Sequence, residues 1–395
     1  MAAPTPTSNP KPTIAILGAG ITGLQTALSI LHSPGPPTLI ILAQHLPGDE
    51  SIEYTSPWAG GHWRSHAHAG GGEAEAELRA WDQRTYEEWR RLLASSEGKT
   101  REELEKELGL GVRESIMFWS EETDETGGME GEGLWWRGVV SGFRVLSAQE
   151  LAGASSASGG GREVVFGARY DTVCVNVPRY LAYLTERITA LGGKFVRAAV
   201  RTDGGLEGVV EDVKRLVAAE CPENQLQELI LAAGLLSQKY LPAEEAEKLY
   251  PVRGQTVLVK GEAPRAVTHL FPGGEISYVI PRPGSGTTIL GGCKEVGSWE
   301  AEEDRELTGK ILEKARGLVP ELLVGGGGAD GKGQFEVLSV QVGRRPGRKG
   351  GPRVEVDGSG RIGGVRVVYA YGHEGAGYQN SVGSAEKVVA LLAEK

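Results

Sequence analysis

Cysteine is scarce in this chain. The 395 residues hold three, Cys174, Cys221 and Cys293, an odd number with no C-x-x-C pair. That excludes a disulfide framework and a cysteine-based zinc site, and an intracellular, reducing compartment is expected. A basic excess is also lacking: 42 Lys and Arg stand against 52 Asp and Glu, a formal net charge of -10. Such a surface repels nucleic acid and anionic membrane on average, so neither is expected as a partner. No apolar run approaches the roughly 20 residues that a membrane helix needs. Residues 1–12 are rich in Pro, Thr and Ala and lack a basic stretch followed by an apolar one, so no secretory signal is expected. No repeat of solenoid or propeller length occurs. The three histidines His62, His66 and His68 cluster without carboxylate or cysteine at ligand spacing, so no metal is expected.

What is present suits a globular protein of about two domains. Part of the glycine content, 59 residues, lies in tracts at Gly70–Gly72, Gly159–Gly161 and Gly325–Gly328, which read as surface loops. Thr13 to Leu17 is a short β-branched apolar run, read as a buried parallel strand. Helix formers follow from Ile21 to Leu31 and stop at Pro34-Gly35-Pro36-Pro37; Thr38 to Leu42 is the next strand. This is a βαβ unit, and its turn reads Gly18-Ala19-Gly20-Ile21-Thr22-Gly23, the G-x-G-x-x-G pattern. The first glycine makes the turn, the second admits a pyrophosphate to the backbone, and the third lets helix and sheet pack closely. The N–H groups at the helix start complete a phosphate site. The acidic ribose ligand expected after the second strand is missing. Gln44 stands there and offers a weaker hydrogen bond, which disfavours NAD. No second G-x-G-x-x-G occurs, which disfavours a flavin enzyme fed by NAD(P)H.

Farther along, helices are expected over Glu73–Leu93, Arg101–Leu108 and Pro178–Leu191, with strands over Glu163–Tyr170, Lys194–Arg201 and Leu226–Ala233. Thr256–Lys260, Ser277–Pro281 and Thr287–Gly291 are β-rich and suggest an antiparallel sheet. Val365–Tyr371 is a final strand and Ser381–Glu394 a final helix. The expected fold class is α/β: a Rossmann-like dinucleotide-binding domain with an inserted, β-rich substrate domain. The expected boundaries are 1–66, 165–250 and 345–395 for the first, and 67–164 and 251–344 for the second.

Several segments go beyond a generic nucleotide-binding pattern. Tyr54-Thr55-Ser56-Pro57-Trp58-Ala59-Gly60-Gly61-His62-Trp63 resembles the flavin-contacting loop of fungal D-amino acid oxidases. Pro251-Val252-Arg253-Gly254-Gln255-Thr256 is similar to their P-x-R-G-Q-T segment, Ser277 to Arg282 to their substrate-tyrosine strand, and Gly343-Arg344-Arg345-Pro346 to G-L-R-P. Tyr371-Gly372-His373-Glu374-Gly375-Ala376-Gly377-Tyr378-Gln379 matches the family's C-terminal signature. The matches are collinear from Gly18 to Gln379. Departures are His62 in place of Asn, Arg344 in place of an apolar residue, and a C-terminus, Ala393-Glu394-Lys395, that is not a peroxisomal Ser-Lys-Leu address. Peroxisomal placement by resemblance and a cytoplasmic one both stand.

The resemblance implies FAD as cofactor and D-amino acid and dioxygen as partners, and it is compatible with a homodimer. The reaction implied is oxidative deamination to a 2-oxo acid, ammonia and hydrogen peroxide; D-aspartate, glycine or an N-methyl amino acid are alternative substrates. It assigns FAD contacts to the 18–23 turn, Gln44, Ser56, Ala59, Gly60, Gly61, His62, Trp63, Val200, Gly234, Arg345, Gly375, Ala376, Gly377, Tyr378 and Gln379. Tyr278 and Arg345 become the catalytic pair, with Lys294 and Gly375 as further substrate contacts. By composition alone Arg345 is one charge in the basic stretch Arg344–Lys349, and Tyr278 a half-buried strand tyrosine. In the family's geometry they clamp the substrate carboxylate. Lys294 either reaches the pocket and favours an acidic substrate, or points to solvent or pairs with Glu295.

Overall fold

The structure is a computed structural model that describes residues 12–95, 98–128, 130–157, 163–325 and 333–394. The expected loop at 159–161, residues 326–328 of the last glycine tract, and residues 1–11 and 395 lie outside the described residues.

The strands are β1 (Thr13–Leu17), β2 (Thr38–Ala43), β3 (Leu110–Trp119), β4 (Ser141–Val145) and β5 (Phe166–Val175). They continue with β6 (Lys194–Arg197), β7 (Leu226–Leu231), β8 (Leu249–Lys260), β9 (Ala266–Leu270) and β10 (Ile276–Arg282). Then come β11 (Thr287–Gly291), β12 (Glu295–Val296), β13 (Val337–Arg348), β14 (Arg353–Ile362) and β15 (Val365–Tyr371).

One sheet has the order β14-β15-β7-β1-β2-β6, parallel except at the edge strand β14. Strand β1 shows why it is apolar throughout. Ile14 and Ile16 join one core with the helix Ile21–Leu31, while Ala15 and Leu17 join another with the helix Gly205–Glu220. A parallel strand covered on both faces has no polar side to alternate with. Ile14, Ile16 and Leu17 each contribute about 1.5–3 kcal/mol by leaving water. The second sheet runs β12-β8-β11-β10-β9-β3-β5-β4, with β13 pairing β8 along its length, and carries the helix Arg305–Leu318 on one face.

Two segments depart from the expected boundaries. Segment 165–250 begins with β5, which pairs antiparallel with β3 over ten residues in the second sheet. Within 67–164, the helix Gly72–Ala94 packs on the final helix Ser381–Ala393, so closely that a Cβ on Gly383 would lie 2.3 Å from Trp81 Cα. Long-range pairing, not chain order, decides both placements. The strand expected over 194–201 ends at Arg197. Strand β3 and the helices Gly205–Glu220 and Arg305–Leu318 were not expected. In β3 the alternation is broken by Arg113 and Glu114; the guanidinium of Arg113 is taken up by Glu105 at 2.7 Å and by Glu262.

Candidate active site

The carboxyl ends of β1, β2 and β7 open into a cavity of about 510 Å³ that reaches across to β8, β10 and β13 of the second sheet. Crevices outside the carboxyl ends of parallel strands are where such folds hold ligands. The 18–23 turn forms one end. Gly18 has φ +118, and a Cβ there would lie 2.4 Å from Ala232 O; one on Gly23 would lie 2.0 Å from Gly18 O. Gly20 differs, since its Cβ would meet only Ser56 Oγ, at 3.0 Å. Gly18, Ala19, Ile21 and Thr22 line the cavity, as do Gln44, Val200 and Gly234. The Ile21 N–H donates to Ser56 Oγ at 3.0 Å and the Tyr54 hydroxyl donates to Ala19 O at 2.7 Å. The 54–63 loop is thereby fastened to the phosphate turn.

From His62 onward the chain is extended and alternates. His62, Arg64 and His66 line the cavity, while Trp63, Ser65 and Ala67 are buried behind them. This two-residue period is the ordinary consequence of an extended backbone. It corrects the assignment of Trp63 to the flavin. Its ring is fully buried against Tyr86, and its Nε1 donates to Asp82 O at 2.9 Å. The same alternation is the signal that would have found Arg64 and His66, which the motif comparison passed over because it ended at Trp63.

Tyr278 of β10 stands opposite Gly291 of β11. A Cβ at Gly291 would fall 2.2 Å from Tyr278 Cζ, so only glycine leaves the ring its place. Burial pushes the Tyr278 hydroxyl above its ordinary range, opposed by the neighbouring Arg345, so it stays a protonated donor. Arg345 lies on β13 with its Nη1 3.3 Å from both Arg253 O and Cys293 O. Its guanidinium occupies the space over Gly254, where a Cβ would be 2.4 Å from Nη2. Among the described residues no carboxylate is within ion-pairing distance of Arg345. Arg344 also lines the cavity and stacks on Trp299, 5.4 Å from Cζ to the ring centroid. Gly291→Ala is expected to keep the fold and lose about 10-fold in kcat/KM by displacing the tyrosine, at the ~1–3 kcal/mol scale of overpacking. Gly153→Ala, in open space on a helix, is the control. Equal kinetics for both would remove Tyr278 from the site.

Lys294 lines the cavity, yet its ammonium pairs with Glu374 at 2.7 Å and more than half its side chain is exposed. Glu295 instead pairs with Arg253, at 3.1 Å. Lys294 is thus neutralised, by a carboxylate 80 residues away in sequence and not by its neighbour. Gly375, Gly377 and Tyr378 line the cavity, whereas Ala376 and Gln379 do not. Gln379 turns to the backbone and donates to Arg64 O. The start of the final helix Ser381–Ala393 does not open into the cavity. The Val382 N–H instead donates to Thr85 Oγ1 at 3.1 Å, and the short turn Glu374–Ala376 is what meets the cavity.

Burial lowers three histidines of this region: His62 to about 3, His373 to about 4, and His66 well below 6.5 with Arg64 adding to the effect. Each is neutral when folded and takes a proton near 6.5 when unfolded. The unfolded chain therefore binds more protons between pH 6.5 and 4, so stability is present above that window and is lost as pH falls through it. Melting temperature is expected to drop from pH 7 to 5, opposed in part by Asp82, whose carboxyl burial pushes up to about 7. His373→Gln, which removes one such group, should flatten the drop; an identical pH profile would contradict this.

Residues 13–391 match the family described as FAD dependent oxidoreductase. The chain is 32% identical to a D-amino-acid oxidase of Schizosaccharomyces pombe over 387 residues, covering 97% of this chain and 96% of that protein. It is 30% identical to a D-aspartate oxidase of Talaromyces thermophilus over 400 residues, with 96% and 95% covered. Among solved structures, glycine oxidase from Bacillus cereus aligns with a TM-score of 0.65 at 16% identity, covering 97% of this chain and 95% of that one, which concerns the fold alone. With the glycine turn, the two-sheet architecture and near-complete coverage in agreement, the chain belongs to the FAD-dependent oxidoreductase family.

Proposed function

We propose that this protein is a D-amino acid oxidase, converting a D-amino acid and dioxygen to a 2-oxo acid, ammonia and hydrogen peroxide. The observation that carries the reading is the Arg345 guanidinium, set in the cavity beside the Tyr278 hydroxyl and held by carbonyls with no ion-paired carboxylate. Two carbonyl contacts hold the fork in place and leave its charge for a substrate carboxylate. The names of the relatives support the substrate class.

The residues present fit FAD. Gly20 leaves open space beside the helix start, the cavity runs from there to Tyr278, and glycines 60, 61, 375 and 377 line it between. The 18–23 turn and the N–H groups of the helix start would hold the pyrophosphate. Gln44 would meet the ribose, and Ala59–His62 with Gly375–Tyr378 the ring. When bound, FAD supplies the two-electron acceptor and hands the electron pair on to dioxygen. Arg345 and Tyr278 fix the carboxylate and so orient the α-carbon; placement of the reacting atom is the protein's main contribution.

The net charge of -10 supports a small-molecule role without nucleic acid or membrane surface, and no described helix is long and apolar enough to cross a membrane. Three free thiols support an intracellular compartment. The test is a substrate panel read as peroxide release: D- and L-amino acids, glycine and sarcosine. Turnover of D-enantiomers is expected to dominate. Preference for glycine or sarcosine would select the N-methyl amino acid alternative, and no turnover of any amine would leave a nucleotide-binding protein without this activity.

A further inference from the structure

The cavity is basic well beyond what one carboxylate requires. Arg64, Arg344 and Arg345 line it, beside the neutral His62 and His66, in a chain whose overall charge is -10. Of the acids that line it, Glu374 is taken by Lys294, and Glu53 stands 3.7 Å from His45, near the expected ribose end. Arg64 is the conspicuous group. It lines the cavity half-exposed, its electrostatic neighbours are Tyr170, Glu125, Tyr278 and Arg345, and among the described residues no carboxylate ion-pairs with it. A guanidinium that faces a cavity without an ion-paired carboxylate is left free to take one from a ligand. The side chain is aimed all the same: its Nη2 lies 3.0 Å from His66 Nε2. His66, its pKa lowered by the enclosing cavity and by the neighbouring Arg64, Lys294 and Arg345, presents Nε2 as an acceptor to that N–H. Its Cε1 in turn would lie 3.0 Å from a Cβ on Gly375, so the ring packs against the C-terminal signature.

We infer that Arg64 binds the second carboxylate of a dicarboxylic D-amino acid, with His66 as the residue that positions it. This rests on the amino acid oxidase reading and names the substrate class within it. The first carboxylate engages Arg345 and Tyr278, and the side-chain carboxylate neutralises Arg64. A neutral substrate leaves Arg64 uncompensated. The role expected of Lys294 passes to Arg64, because Lys294 already has Glu374 and stands more open to solvent.

The test uses the FAD-loaded protein and two readouts. The first is kcat/KM for D-aspartate and D-glutamate relative to D-alanine. The second needs no turnover: titration with succinate and with butyrate, followed by the change in flavin absorption. The parent is expected to bind succinate at least 10-fold more tightly than butyrate. Arg64→Met should lower the acidic-to-neutral ratio by roughly 30-fold, mostly through KM, and weaken succinate by a similar factor while butyrate is unchanged. Arg64→Lys should restore part of both, and Lys294→Met should move the ratio less than Arg64→Met. Equal affinity of the parent for succinate and butyrate would overturn the inference even if Arg64→Met loads no FAD. So would an unchanged ratio in Arg64→Met, or a larger change in Lys294→Met. If the parent oxidises no D-amino acid, the oxidase reading fails, while the succinate and butyrate titrations still decide what Arg64 binds.

Discussion

Arg345→Ala is expected to load FAD, keep its melting temperature within a few degrees, and lose about 100-fold or more in kcat/KM on every amino acid. The magnitude follows from deleting one partner of an enclosed, charge-assisted contact, about 3 kcal/mol, where each 1.4 kcal/mol is tenfold. The fold should survive because Arg345 has no ion-paired carboxylate among the described residues to strand. Its two contacts are to the carbonyls of Arg253 and Cys293, each 3.3 Å away. Arg345→Lys is expected to recover little, since a single ammonium cannot bridge two carboxylate oxygens in the plane of a guanidinium. Steady-state kinetics with the flavin spectrum as control decide the matter. Near-parental kcat/KM in the alanine variant would mean that the carboxylate is held elsewhere.

Gly20→Val should give a folded but weakly yellow protein. Of the three motif glycines it alone isolates the cofactor. Alanine at Gly18 or Gly23 would strike backbone oxygens at 2.4 and 2.0 Å, and so test the fold. At Gly20 the backbone is extended, with φ -74 and ψ 177, which valine adopts without strain. The new Cβ meets only Ser56 Oγ, at 3.0 Å. The remaining bulk enters the space where pyrophosphate approaches the turn. FAD binding is expected to weaken about 10- to 100-fold, from the ~1–3 kcal/mol cost of overpacking. The ratio of flavin to protein absorbance after purification reads it, with circular dichroism reporting the fold. Full flavin occupancy would place the pyrophosphate away from this turn.

Much of the molecule is legible in local pattern. The G-x-G-x-x-G turn declares itself because it sits between an apolar β-branched run and a helix. The strands at 256–260, 277–281 and 287–291 are short, β-rich and bounded by turn residues. Strand β3 is not legible in this way: Arg113 and Glu114 interrupt its alternation, Arg113 being taken up by Glu105 and Glu262 from other elements and Glu114 by Arg169 of β5. The helix at 205–220 follows the same logic. Its apolar stripe is clear once β7 and β15 are known to need cover on that face.

By itself, then, the amino-acid order determined the dinucleotide turn and the class of fold, since each depends on residues a few positions apart, while Tyr278 and Arg345 were marked by the family resemblance of the short motifs around them. Charge pairing and facing were decided only by the tertiary structure. Lys294 is quenched by Glu374 from a distant turn, Trp63 goes to the core while Arg64 goes to the cavity, and the glycines at 254 and 291 matter for the side chains that other strands lay across them. Each of these is a through-space relation between segments far apart in the chain. Local sequence carries no term for it, because the energy of a buried charge or a close contact depends on what stands opposite.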